Sequence, residues 1–253
     1  MGLQKLFSRE WLQNKFRMKM YAGDVRRLVA QNKVPDVETS LRRIKQYGIN
    51  PKLIFDVGAY EGDFIKMCKR LWPDSRIVAF EALPEKINDL KKNYESESVE
   101  IVHCLVGDQD QASVPFYSDE NASSALLSEE VNTHKQVLNL PMMKLDSFIS
   151  SHGGVVPDFL QLDTLSFEYQ ILKGIEGHLP KIQAILLQVN FIDVFHEVKL
   201  ANKVIELLAA HGFVIYDVCD LHRRPLDHAL WQADLLFLKE DSPLRKDKRW
   251  GIS

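Results

Sequence analysis

A chain of 253 residues, 45% of them hydrophobic, is long enough to bury one large core and too short for two full domains without crowding. Its formal net charge of -3 excludes the global excess of Lys and Arg that nucleic-acid binding demands, so any contact with an anionic surface has to be local. The three cysteines, Cys68, Cys104 and Cys219, are odd in number, widely spaced and set among apolar neighbours, a pattern of reduced core thiols that speaks against a disulfide framework or a zinc site.

In chain order, the first segment, Met1 to Lys33, carries eight basic residues against Glu10 and Asp24, a local charge of +6. Its Leu3, Leu6, Phe7, Trp11, Leu12 and Phe16 recur at helical spacing, which predicts a basic amphipathic helix. Such a helix packs on the catalytic domain or on a sister subunit in a homo-oligomer, or docks on a membrane surface or a lipid-linked substrate. No stretch approaches the roughly 20 apolar residues that cross a bilayer, and a signal-peptide core is missing from the N-terminus. The expected location is the cytoplasm, with peripheral contact at the inner membrane surface through the basic segment. Residues 1–50 therefore read as a helical extension, 51–240 as the main domain and 241–253 as a tail.

From Pro51 onward short apolar runs alternate with amphipathic patterns, the rhythm of an α/β protein whose mostly parallel sheet is covered on both faces. Strands are predicted near Leu53–Val57, Arg76–Glu81, Val99–Leu105, Asp158–Asp163, Ala184–Asn190, Phe213–Val218 and Ala233–Lys239. One helix is expected from Asp63, as its cap, to Trp72-Pro73; another has Pro84 in its first turn; a third spans Ala201 to Ala210 and stops at His211-Gly212. Between Val106 and Phe159 no strong long helix is read. Instead, β-like pieces at Ser113–Tyr117 and Gln136–Lys144 predict a hairpin insertion with a polar tip at residues 118–124, where Ser123 and Ser124 are candidates to bind cofactor or sugar.

The first strand ends in Phe55-Asp56-Val57-Gly58-Ala59-Tyr60-Glu61-Gly62, a tight turn in which backbone can approach a ligand closely. A dinucleotide needs G-x-G-x-x-G, with its pyrophosphate on a bare helix N-terminus. Here the spacing is D-x-G-x-x-x-G, with Asp56, Glu61 and Asp63 crowding the turn. Three carboxylates repel a pyrophosphate and suit the ammonium and sulfonium charges of S-adenosylmethionine. The second strand ends in Phe80-Glu81, followed by Ala82, nineteen residues after Gly62, where an acidic side chain can accept both ribose hydroxyls. Val106-Gly107-Asp108 follows the third strand, either on the adenine side of such a ligand or as an ordinary turn.

With these residues in view the chain resembles the FkbM family of methyltransferases from about Leu53 to Lys239. The resemblance rests on Phe55-Asp56-Val57-Gly58-Ala59 with Gly62, Phe80-Glu81, Val106-Gly107-Asp108, a strand exit at Leu145-Asp146-Ser147-Phe148, Leu160-Gln161-Leu162-Asp163-Thr164 with Glu168 and Leu172-Lys173-Gly174, and Gln232-Ala233-Asp234-Leu235-Leu236-Phe237. It implies a class I methyltransferase (Rossmann-like) fold, a seven-stranded sheet with an antiparallel last strand, and O-methylation of small molecules or sugars, including hydroxyls of glycans and glycolipids. One departure stands out: the family often has Gly between the positions of Asp163 and Glu168, where this chain reads Thr164-Leu165-Ser166-Phe167. N- or C-methylation on the same cofactor site, or a noncatalytic scaffold, are the alternative readings.

Methyl transfer to a hydroxyl requires oxygen, carbon and sulfur in line and a group that removes the proton. Asp163, at the end of the fourth predicted strand, is the leading candidate base and also borders the cofactor. Glu168 either shares that role or serves as a helix-dipole partner. His196 is a candidate second base. Asp163, Glu168 and Asn190 together offer the hard oxygen ligands of a divalent metal such as magnesium. In His222-Arg223-Arg224-Pro225 the paired arginines are candidates to grip an acidic acceptor, unless they merely decorate a turn.

Overall fold

The computed structural model describes residues 34–118, 126 and 136–249. The basic segment 1–33 and the insertion tip with Ser123 and Ser124 lie outside the described residues. The elements run α1 (Val37–Gln46), β1 (Leu53–Val57), α2 (Asp63–Leu71), β2 (Arg76–Glu81), α3 (Pro84–Tyr94), β3 (Val99–His103), β4 (Leu105–Gly107), β5 (Gln111–Ser118), β6 (Gln136–Lys144), α4 (Leu145–Ser151), β7 (Phe159–Leu162), α5 (Glu168–Gly174), β8 (Ala184–Asn190), α6 (Ala201–Ala210), β9 (Phe213–Arg223) and β10 (Leu230–Lys239).

Seven strands form one sheet in the order β3-β2-β1-β7-β8-β10-β9. All neighbours are parallel except β10, which runs antiparallel to both β8 and β9. Every residue of β1 and β7 is buried, because helices cover both faces of a parallel sheet and leave no side of these strands for water. On one face Phe55, Val57, Leu160, Leu162 and Leu187 pack with Ile171, Leu172, Val204 and Leu208 of α5 and α6. The opposite face, with Ile54, Phe159, Leu186 and Leu236, packs under Leu41 and Ile44 of α1 and Ile65, Cys68 and Leu71 of α2. All three cysteines are buried and free.

α1 falls within the expected N-terminal helical extension. Asp36 caps it by accepting from Thr39 N at 2.7 Å, and Ser40 Oγ and Arg43 Nη1 both donate to Asp217 of β9, at 2.8 and 2.7 Å. The helix is thereby anchored to β9 on the sheet face that also carries α2.

The insertion is a second sheet of three strands, β4-β6-β5, in which β5 and β6 pair antiparallel as expected and β4 runs parallel to β6. The predicted third strand accordingly breaks at Cys104, and its continuation changes sheets. Leu145-Asp146-Ser147-Phe148, read as a strand exit, follows the end of β6 and opens helix α4: Leu145, Phe148 and Ile149, spaced for one helical face, are its buried residues. Phe148 meets Phe55 and Phe80 edge-on, with ring centroids 5.8 and 4.9 Å away, and so pins the insertion to the main sheet. β9 and β10 outrun their predicted bounds: they stay paired, with register shifts, along the end of β8, and Leu230 and Arg223 pair beyond it.

One close approach locks the two sheets together. A Cβ on Gly174, at the end of α5, would collide with the Gly107 carbonyl oxygen, and one on Gly107 would run into Met142 Sδ. Gly174→Ala is expected to cost about 1–3 kcal/mol through this overpacking, read as a lower urea midpoint at unchanged slope. An unchanged midpoint would show that the α5–β4 contact gives way freely.

Candidate active site

The backbone beyond β1 is shaped by what it must avoid. Gly58 N and Ala59 N both donate to Phe80 O, at 2.9 and 3.1 Å, which bends the chain over the end of β2. Gly58, at φ +89°, has room for no side chain: a Cβ would strike the Asp163 carbonyl oxygen. Gly62, at φ +82°, is pressed against the Tyr94 ring and is itself the N-cap of α2. Asp63, expected as the cap, is the first helical residue, because the left-handed turn the chain makes before the helix suits glycine.

The acidity of the turn also differs from expectation. Glu61 is exposed and paired with Lys86 at 2.7 Å, and the same ammonium lies 3.9 Å from the centre of the Tyr60 ring. Asp63 is exposed at a helix N-terminus. The carboxylates gathered around the turn are instead Asp56, Glu81 and Asp163. Asp56 faces α2 and is fully buried, and neither of its oxygens has a hydrogen-bond partner. Beside it in register, Gln161 is buried with its Oε1 also unpartnered. Glu81 is held by two backbone donors, Tyr60 N and Leu83 N, both at 2.7 Å.

Strand register arranges these groups in a row. Val57 pairs with Phe80 and with Leu162, which pairs with Leu187. One residue beyond that rung come Glu81, Gly58, Asp163 and Gln188, and Gln188 pairs with Asp234, which pairs with Asp220. The row crosses six strands at the carboxyl edge of the parallel sheet, where open α/β sheets bind ligands. Gly58 is the gap between its two acidic halves. Gln188 Nε2 donates to Asp234 Oδ1 at 3.4 Å, and His222 Nε2 lies 3.6 Å from Asp234 Oδ2.

So many carboxylates in one place hold protons tightly. Burial, then the charges of Asp163 and Glu81, push the Asp56 carboxyl up to about 8. Asp163 reaches solvent yet sits low among the strand ends; burial and then Asp234 push it up to about 6, against the opposing pull of His222. Burial raises Glu81 as well, resisted by its backbone donors. Glu168 is pushed up to about 7, chiefly by burial.

The segment from Asp163 to Glu168 keeps an unusual shape. Leu165 and Ser166 have φ +54° and +84°, so Ser166 takes a conformation natural to glycine. Glu168 Oε1 accepts from Thr164 N, Thr164 Oγ1 and Ser166 N, and Ser166 Oγ donates to Asn190 Oδ1 at 3.0 Å. Asn190 Oδ1 also accepts from Gln232 Nε2. Glu168 and Asn190 thus use these oxygens to shape the loop that follows Asp163. Among the described residues, the three ionisable side chains whose ligand atoms come within 4.8 Å of one another are Asp220, His222 and Asp234.

His196 is exposed in the loop after β8. The charges that act most on Asp163 come from Asp234 and His222 instead. Neither was singled out as a partner of Asp163 in the sequence, although Asp220-x-His222 on one strand and Asp234 on its neighbour are the alternation that puts side chains on one face. The paired arginines hold the β9–β10 turn: Arg224 binds Asp227 through two hydrogen bonds of 2.7 and 2.6 Å, and Arg223 donates to His228 O. Gly107 is fixed by packing against Gly174, with Asp108 beside it, and Ala82 O contacts the His103 ring at 3.1 Å.

Because the folded-state pKa of Asp56 is raised, its contribution to stability is present below pH about 4 and is lost as pH rises through about 8. Asp56→Asn should therefore flatten the decline in unfolding free energy between pH 5 and 8, measured by urea titrations at several pH values. An equally steep decline in the variant would mean that Asp56 is not protonated in the fold.

Among curated proteins no sequence matches this chain. Similar solved structures include magnesium protoporphyrin IX methyltransferase from Synechocystis, determined with bound S-adenosylmethionine (11% identity, 85% of this chain and 82% of that one, TM-score 0.47). Others are precorrin-6y C5,15-methyltransferase from Geobacter metallireducens (16%, 80% and 86%, TM-score 0.44) and 1,6-didemethyltoxoflavin-N1-methyltransferase from Burkholderia thailandensis (14%, 92% and 91%, TM-score 0.43). The family model of the methyltransferase FkbM domain matches residues 56–215, from the buried Asp56 to the start of β9, and the chain belongs to the FkbM methyltransferase family.

Proposed function

We propose that this S-adenosylmethionine-dependent methyltransferase is an O-methyltransferase acting on a sugar hydroxyl, in a glycan, a glycolipid or a small molecule, with Asp163 as the base. The observation that carries this reading is the row at the sheet edge: Asp163 reaches solvent there, and its neighbours along the sheet, Gln188, Asp234 and His222, are partly exposed hydrogen-bonding side chains. Such surroundings suit a polyhydroxylated acceptor better than an apolar one.

S-adenosylmethionine, when bound, supplies a methyl group on a positively charged sulfur. The residues present fit it: Gly58 leaves the gap in the row, and Asp56 offers a buried carboxyl with no partner of its own. In this reading Asp56 and Asp163 favour the cationic end, and Glu81, aligned by Tyr60 N and Leu83 N, accepts from the ribose hydroxyls. The backbone of Gly58, Ala59, Tyr60 and Gly62 lines the approach, and Ala82, Gly107 and Asp108 flank the adenine side. Asp163 takes the acceptor proton; a carboxylate raised toward neutrality is a stronger base than an ordinary one and is still ionised above pH 6. Glu168 shapes the loop that carries it.

Among the described residues no helix is long and apolar enough to cross a membrane. The reading places the enzyme in the cytoplasm, where the basic N-terminal segment meets a membrane surface or a lipid-linked acceptor.

Asp163→Asn should lower turnover roughly 100-fold or more while S-adenosylmethionine still binds, as loss of a general base does. Transfer of labelled methyl from the cofactor, recovered as an alkali-stable ether, checks both base and acceptor atom; label on nitrogen would sink the O-methylation reading. A second expectation concerns protons. A cation beside Asp56 favours its carboxylate, so cofactor binding should release protons near pH 7 and tighten as pH rises toward 8. Calorimetry in buffers of different ionisation enthalpy measures this directly, and a buffer-independent heat would exclude the linkage.

A further inference from the structure

Glu81 takes its orientation from two backbone donors on two different pieces of chain. Tyr60 N, in the turn after β1, reaches Glu81 Oε2, and Leu83 N, from the residue that caps α3, reaches Oε1, both at 2.7 Å. Leu83 is steadied by the helix it opens, since Lys86 N donates to Leu83 O at 3.1 Å. Tyr60 lies in neither a helix nor a strand, in a turn that Gly62 N closes by donating to Ala59 O at 2.7 Å. Its backbone stands at φ +46°, a left-handed conformation that costs a residue with a side chain and persists only where the surroundings impose it. Gly58 and Gly62 take such angles freely; Tyr60 does not.

The constraint comes from α3. Lys86, in the first turn of that helix, places its ammonium 3.9 Å from the centre of the Tyr60 ring and 2.7 Å from Glu61 Oε1. An ion pair in open solvent would contribute little. This lysine is 23% exposed, however, so its stem is packed, and the ring contact adds an attraction that water screens less. One side chain of α3 therefore grips two consecutive residues of the turn, and the two donors of Glu81 become parts of a single frame.

We propose that Lys86 is a positioning residue for the cofactor: by clasping Tyr60 and Glu61 it keeps the Tyr60 amide on Glu81, and so keeps that carboxylate aimed at the ribose hydroxyls. The proposal rests on the reading of Glu81 as the ribose acceptor. Lys86 acts through Tyr60 and Glu81, not on the reacting atoms. Without it Tyr60 relaxes toward negative φ, its amide turns away, and Glu81 is left with Leu83 N as its support from the flanking chain. A carboxylate held at one oxygen pivots, and a pair of hydroxyls then meets a moving target.

Calorimetry of the full chain with S-adenosylhomocysteine, the product that methyl transfer leaves, and with its 2′-deoxy analogue tests this without an acceptor. In the wild type, loss of the hydroxyl should weaken binding roughly 10-fold or more, the size of a hydrogen bond to a charged group. In Lys86→Met, S-adenosylhomocysteine should bind about 3- to 10-fold more weakly while the deoxy analogue binds nearly as before, so the ratio between the two ligands shrinks. In Lys86→Arg, which keeps a cation for both ring and carboxylate, the ratio should stay within about 2-fold of the wild type. Equal weakening of both ligands in Lys86→Met overturns the proposal, because that is what a general loosening of the turn would do. Unchanged binding of both overturns it as well, as does a ratio that collapses equally in the Met and Arg variants. A wild type that binds the two ligands alike defeats the reading of Glu81 itself, whereas a wild-type ratio that persists in Lys86→Met defeats the clasp alone.

Discussion

The site depends on the contact between Gly58 and Asp163. At that rung the backbones of β1 and β7 come so close that no side chain fits, and from it follow the left-handed turn, the gap in the row and the placing of Asp163 at the rim. A larger residue would push apart the two central strands of the main sheet, and every carboxylate that is positioned by register would move with them. The glycine is a requirement of the sheet before it is a requirement of any ligand.

Around that contact the protein tolerates an uncomfortable concentration of charge. Asp56 has no partner in the core, and Glu81 and Glu168 are buried with only neutral donors against them. Such an arrangement costs stability when empty and gains from a cation, which is the electrostatic signature of a site tuned to a positively charged ligand. The loop after Asp163 carries strain of another kind. Where the family often has glycine, Leu165 and Ser166 adopt left-handed backbone, each at a cost of about 1–2 kcal/mol, offset in part by the bonds to Glu168 and Asn190.

Much of this was legible in the sequence. β1, β2 and β8 have the predicted bounds because fully buried parallel strands are continuous apolar runs with sharp ends. The turn at Gly58 and the strand-ending Glu81 were legible for the same reason: glycine and acid at fixed distances from such runs have few other uses. What escaped was what depends on register between distant segments. Glu61 looked like part of the site until Lys86, a helix away, neutralised it. Arg223 and Arg224 looked like ligand-binding groups, but their partners are turn residues. The pairing of His222 with Asp234 needs β9 and β10 aligned with register shifts, which no local pattern encodes. For helix α4 only the strand exit before it was legible, because seven residues hold too few periods to be told from an extended run.

The strand order also has a consequence for how the molecule is made. β1 lies between β2, which follows it closely in the chain, and β7, which follows about a hundred residues later. During synthesis the first three strands emerge long before their central neighbour, with one edge of β1 open and apolar faces uncovered. The insertion lengthens that wait, since its second sheet comes between them. Assembly of the centre is therefore a late event, and nascent chains pass through a stage in which an unpaired hydrophobic edge is exposed to other chains and to chaperones. Asp163 reaches its place against Gly58 only when β7 docks, so the row at the sheet edge is completed together with the centre of the sheet, last of all.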